Sequence, residues 1–193
     1  MVETENTPNP DTLKFLPGKK VSEIGPVEFL KNDKNIKIPL ANKLLSLKGT
    51  VMVFFGENFI TVKKEKNINW EDLKHGIISE INDHYLKGNQ VIVKNFLYKT
   101  DKAKTSSESN DVIDKINEVL NSKIRPAVAK DGGDITFKSF KDGVVTVELK
   151  GSCSGCPSSI MTLKQGVQNL LCHYIPEVKS VEDIPEVKSV EAL

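Results

Sequence analysis

The chain has 193 residues, 38% hydrophobic and 27% charged, with 27 basic against 26 acidic side chains and a net charge of +1. Those proportions fit an ordinary globular protein of one large or two small domains. No stretch approaches the roughly 20 apolar residues of a membrane-spanning helix. Nucleic-acid readers need a basic field and arginine forks, whereas here the charges are interspersed and Arg125 is the only arginine. Neither nucleic acid nor a membrane is therefore expected as a partner. Three cysteines, an odd number, make no disulfide framework and point to a reducing compartment with functional thiols. The opening "MVETENTPNP" is acidic and proline-containing. It has neither the apolar core of a secretory signal nor the arginine-rich pattern of a transit peptide. The expectation is a cytoplasmic chain or one already processed, with a bacterial cytoplasm and a mitochondrial matrix both open.

In chain order, "TPNPDTLKFLPG" predicts a first strand, in which Leu13 and Phe15 alternate with Thr12, Lys14 and Leu16 before a Pro17-Gly18 turn. A second short strand is expected at Val27–Leu30. Pro39 can open a helix at its first turn, followed by "LANKLLSL". "TVMVFF" and "FITVKK", separated by "GEN", carry a hairpin signature. Trp70, Leu73, Ile77 and Ile81 recur at helical spacing, so 70–87 is read as an amphipathic helix lying on that sheet. No catalytic constellation stands out in this region, and His75 and His84 are read as surface or partly packed.

Residues 99–109, "KTDKAKTSSES", have Ala103 as their only apolar member and are read as a flexible linker between domains at 1–98 and 110–193. Beyond it, Val112, Ile113, Ile116, Val119 and Leu120 mark one face of a helix that Pro126 ends or bends. "DGGD" (131–134) is a turn into "ITFKSF", and "KDG" (141–143) turns the chain back into "VVTVELK". This second hairpin runs directly into "GSCSGCPSS" (151–159). Pro157 and its serines open a last helix, with Ile160, Leu163, Val167, Leu170, Leu171 and Tyr174 on one stripe. "IPEVKSVE" then occurs twice, at 175–182 and 184–191. The first copy follows the helix directly and costs less loop closure, so Val178 and Val181 are expected to fill a short closing strand.

The Cys153-x-x-Cys156 pair is either half a tetrahedral metal site or a complete redox pair. The loop has little bulk, and the helix start beside it should favour thiolate, so reactive or metal-binding thiols are expected rather than buried inert ones. Cys172 lies 16 residues beyond Cys156 along a continuous helix, roughly 24 Å at 1.5 Å per residue, and on its polar side. It cannot join the same site within one chain and is read as an incidental surface thiol. The histidines do not complete the site either. Four thiolates would need a second copy of the loop across a two-fold axis. Zinc and iron–sulfur both suit such a set, and a two-ligand loop at a surface suits a cluster passed on more than a closed structural zinc.

Residues 110–182 resemble the NifU-like C-terminal domain through "IRPAVAKDGGDITF" (124–137), "GSCSGCPSSIMTLKQGVQNLL" (151–171) and "YIPEV" (174–178). Residues 3–87 look like the Nfu N-terminal domain through "TPNPDTLKFLPG" (7–18), "VFFGENFITVKK" (53–64) and "WEDLK" (70–74). The resemblance implies an Nfu-type scaffold or carrier, not an enzyme, that holds a [4Fe–4S] cluster between subunits by Cys153 and Cys156. It further implies delivery to apo iron–sulfur clients, with upstream assembly factors as other partners. Asp131, Gly132, Gly133 and Asp134 match a recurrent family turn and are read as structural.

The fold expected is α+β in two small domains, the C-terminal one running helix, hairpin, helix, strand with the cysteine loop between hairpin and second helix. The rival is a thiol–disulfide oxidoreductase, since strand, Cys-x-x-Cys, helix is also the thioredoxin-like order. Against it, the preceding strand belongs to a hairpin where a βαβ unit would be expected. A third reading is an interaction adaptor with a vestigial loop.

Overall fold

The computed structural model describes residues 1–92, 111–153 and 157–183, without the side chains of 157–160. The expected linker at 99–109, Cys156 and the second "IPEVKSVE" lie outside the described residues. Two sheets with separate cores result, joined along one face, in the α+β class expected.

The first sheet has five antiparallel strands in the order β1-β2-β5-β4-β3. These are β1 (Glu3–Asn6), β2 (Thr12–Leu16), β3 (Val27–Leu30), β4 (Thr50–Phe55) and β5 (Ile60–Lys64). Only β1 was not legible: its polar "ETEN" has no strand pattern, and it forms because β2 offers it a pairing edge, with Glu5 opposite Lys14 and ion-paired to it at 3.1 Å. Two helices, α1 (Pro39–Ser46) and α2 (Trp70–Leu86), cover one face. Phe15, Phe29, Val53, Phe55, Ile60 and Val62 point there, against Leu40, Leu44, Leu73, Ile77 and Ile81. By the period-2 rule the residues between them point the other way. Glu28, Met52, Phe54 and Thr61 thus share the opposite face, and Phe54 and Thr61 have no exposure at all. Each fully buried phenylalanine contributes about 1.5–3 kcal/mol.

The second unit starts with α3 (Asp111–Val119), a π-helical turn (Leu120–Ile124) and α4 (Arg125–Lys130). Pro126 explains the break. It has no N–H to donate one turn back, and its ring crowds that carbonyl. The helix widens before it, so Arg125 donates its backbone N–H to the Leu120 carbonyl. The hairpin β6 (Gly133–Lys141) and β7 (Val144–Gly151) closes through Asp142 and Gly143, both at positive φ (52° and 80°), as a two-residue turn of this hand requires. Helix α5 (Pro157–Tyr174) then carries the chain to β8 (Ser180–Asp183).

β8 pairs parallel to β7, which is the central strand of the order β6-β7-β8. The strand before the cysteine loop is therefore both half of a hairpin and the first strand of a βαβ crossover. The topological objection to the oxidoreductase rival falls with that observation. The closing strand uses the first repeat and buries Val181 as expected, whereas Val178, also buried, lies two residues before the strand and not in it. On α5, Val167 and Leu171 are buried, but Tyr174 is 48% exposed with the Lys123 ammonium 5.0 Å over its ring. The stripe ends one turn early because the chain leaves the helix there and Ile175 takes the core position.

His84 is buried, with Nε2 3.2 Å from the Gln90 carbonyl, while His75 is exposed. Burial lowers the His84 pKa from 6.5, opposed by the Gln90 hydrogen bond and reinforced by the charge of Lys43. The neutral ring is the folded form, so its contribution is complete above pH 6.5 and lost as pH falls below that value. Unfolding by urea should show stability falling between pH 7 and pH 5.5, with a shallower fall in His84→Gln. Equal slopes for the two chains would contradict this.

Candidate functional site

The turn Asp131–Asp134 and the end of β7 meet at a backbone crossing almost without side chains. Gly133 and Gly151 are directly opposite in the β6–β7 register. A Cβ on Gly151 would lie 2.6 Å from the Gly132 carbonyl oxygen and 2.8 Å from the Gly133 Cα. A Cβ on Gly133 would lie 2.7 Å from both the Lys150 carbonyl oxygen and the Cys153 Sγ. Gly132 and Gly151 also sit at positive φ, +82° and +71°, where only glycine is unstrained. The structural reading of the DGGD turn was thus correct but incomplete, because its second glycine is also the floor on which the thiol rests.

Backbone and side-chain bonds fix the crossing. The Ser152 N–H donates to the Gly132 carbonyl at 3.2 Å, and the Ser152 hydroxyl donates to the Asp131 carbonyl. Asp134 is buried, and Arg125 donates to it through two nitrogens, at 3.0 and 2.9 Å. This forked, charge-assisted pair ties α4 to the start of β6, and it raises the Arg125 pKa further. Arg125 is thereby a scaffold residue that the sequence showed only as the one arginine.

Three more contacts come from the first sheet. Thr61 Oγ1 donates to the Gly132 carbonyl at 2.7 Å, Asn9 Nδ2 donates to the Ser152 carbonyl at 3.3 Å, and the Gly151 N–H donates to Glu28 Oε2 at 2.8 Å. Around them Met52, Phe54 and Phe59 form a small apolar cluster that Leu16, Val51 and Ala129 complete.

Cys153 lies at 6% exposure within the second core, not in an open loop. Burial pushes its thiol up to about 11, with the Ser152 hydrogen bond opposing and the charges of Asp131 and Asp134 adding to the rise. Burial thus opposes the thiolate that the helix start was expected to favour at Cys153. Cys172 is also not a bare surface thiol. It is half-buried against the same core, 3.7 Å from the Lys179 carbonyl, because the segment after α5 folds back over it.

Among the described residues no group of three or more His, Cys, Asp or Glu side chains is placed to hold a metal, and no helix is long and apolar enough to cross a membrane. Residues 2–88 match the scaffold protein Nfu/NifU N-terminal family and residues 116–182 match the NifU-like domain family. The chain is 43% identical over 185 residues to the human mitochondrial NFU1 iron-sulfur cluster scaffold homolog, covering 95% of this chain and 71% of that protein. The chain belongs to the Nfu/NifU iron–sulfur cluster scaffold family. It is also 40% identical over 183 residues to the mitochondrial NifU-like protein 4 of Arabidopsis thaliana, spanning 94% of this chain and 65% of that one. A solution structure of a NifU-like protein from Saccharomyces cerevisiae is similar with a TM-score of 0.45 and 26% identity, over 49% of this chain and 85% of that one.

In this family member the Gly133–Cys153 contact gives a direct test. Gly133→Ala adds a methyl group 2.7 Å from the thiol sulfur, and such overpacking costs about 1–3 kcal/mol. Chemical denaturation should show that loss, together with faster modification of Cys153 by a thiol reagent. Unchanged stability and unchanged modification would contradict the placement.

Proposed function

We propose that this chain is an iron–sulfur cluster carrier in which Cys153 and Cys156 of two copies together hold one [4Fe–4S] cluster and release it to apo-proteins. The position of Cys153 carries the reading. It lies two residues beyond the end of β7 and four before the start of α5, its sulfur lies against a glycine floor, and it belongs to a chain of an iron–sulfur scaffold family. The two halves that the sequence divides at 99–109 are proposed as an N-terminal Nfu-type domain and a C-terminal cluster-binding domain.

Chemistry of the thiol supports a ligand over a redox nucleophile. A dithiol exchanger needs a thiol titrating near ambient pH, whereas Cys153 is pushed up to about 11. Iron can replace that proton, so binding releases it and is favoured by higher pH. Two thiols per chain are half of the four that such a cluster needs, so a second copy completes the site. Delivery proceeds by ligand exchange: client thiolates take over the iron bonds as the two chains part, with no turnover chemistry asked of the protein. Clients are apo iron–sulfur proteins, and upstream assembly factors supply the cluster. Of the two compartments the sequence leaves open, the relatives' names favour a mitochondrial matrix.

Anaerobic reconstitution of the cysteine variants tests this. Cys153→Ala and Cys156→Ala should each abolish bound iron and sulfide, while Cys172→Ala, which removes only a half-buried thiol outside the site, should retain near-parental amounts. Loaded parent protein should also pass its cluster to an apo [4Fe–4S] acceptor protein. Full cluster content in Cys153→Ala, or loss in Cys172→Ala equal to the other two, would contradict the ligand assignment.

A further inference from the structure

The first unit reaches the cysteine loop with three polar side chains, Thr61 and Glu28 from its sheet and Asn9 from the turn between β1 and β2, and all three end on the same few backbone atoms. Thr61, wholly buried, gives its hydroxyl hydrogen to the Gly132 carbonyl, the group that also accepts the Ser152 N–H. Glu28 accepts from the Gly151 N–H and Asn9, itself 3% exposed, donates to the Ser152 carbonyl. The two residues immediately before Cys153 are therefore held from the other half of the chain. Phe54 shares the spot, 3.2 Å from where a Gly151 Cβ would stand.

The remainder of this joint is poorly suited to permanence. Its apolar part is one small cluster, to which Ala129 alone among the second unit's described residues contributes. Beside it lies a cavity of about 590 Å³ lined by Phe59 and Glu57 on one side and by Arg125, Pro126 and Asp134 on the other. That cleft is open to solvent, and small, partly polar interfaces between domains permit relative motion.

We propose that Asn9, Glu28 and Thr61 are positioning residues that clamp the root of the cysteine loop, so that the loop carries Cys153 out of the second core only when their hold on Gly132, Gly151 and Ser152 is released. The clamp deepens the carrier reading and rests on it for its consequence alone. A cluster shared with a second chain needs the sulfur at the surface, so loading favours the released state and the clamp in turn disfavours premature loading. The clamp itself is a property of the cluster-free chain and is tested there.

The full chain with Cys156→Ser and Cys172→Ser has Cys153 as its one thiol. Its modification by 5,5′-dithiobis(2-nitrobenzoate) without denaturant reports access to that sulfur. The parent should react far more slowly than a free cysteine peptide, and Thr61→Val or Glu28→Ala should each react about tenfold faster, the shift expected for losing one buried hydrogen bond. Amide exchange should rise at Gly151 while Ile77 of α2 and Val145 of β7 keep parental protection, which separates release of the clamp from general loosening. Glu28→Gln, which keeps the side chain's size, and Asn9→Ala, in a turn outside the strands, repeat the test should a first variant fail to fold. Parental reaction rates in folded clamp variants, or a parent that reacts like the free peptide, would overturn the clamp. Either result would leave the ligand assignment standing, since that depends on iron bound by the cysteine variants.

Discussion

Where β6 begins and β7 ends, two strands cross so closely that any Cβ on Gly133 or Gly151 would stand within 2.8 Å of another group. The rest of the molecule is arranged around that crossing. The π-helical turn and Pro126 bring α4 to it, and the Arg125–Asp134 fork secures the approach. β7 passes through it into the cysteine loop. The first unit lays Thr61 and Glu28 of its sheet and Asn9 of the β1–β2 turn onto its peptide groups. Close packing of bare backbone leaves polar groups that must find partners, and here the partners come from both halves of the chain. A single device thus joins the two units and fixes the thiol.

The same crossing explains why the thiol chemistry differs from a simple helix-start cysteine. A sulfur lying on a glycine floor inside a core loses hydration, and the cost of charging it rises accordingly. The strand–loop–helix order and the parallel return of β8 would equally suit a redox fold. The distinction lies in the environment of Cys153, which is buried beside two acidic residues and holds its proton up to about 11. Such a thiol is a poor nucleophile, which is why the ligand role is the one proposed for it.

Much of this could be read from the chain. The strands at Val27–Leu30 and in both hairpins, the helices opened by Pro39 and Pro157, and the turn at Asp142-Gly143 all carry local signals that the structure follows. β1 was illegible because its strand character comes wholly from β2. The joint between the halves was missed although one signal was present. "TVMVFF" is continuously apolar where a sheet with one wet face would alternate, and Met52 and Phe54 are the residues that cover the second face. The burial of Cys153 had no local signal at all, since small residues around a thiol read as an open loop until another strand is placed under it. Cys172 was misplaced for the same reason: helical phase marks it polar, but the returning segment after α5 covers it.

The central claim is that one cluster is held by two copies of this chain, because each supplies two thiols from its loop and four are needed. Native mass spectrometry of the anaerobically loaded protein tests it most directly. The account predicts a species of two chains carrying one [4Fe–4S] unit, which returns to single chains when a chelator strips the iron. A single chain that carries a complete [4Fe–4S] unit would contradict it.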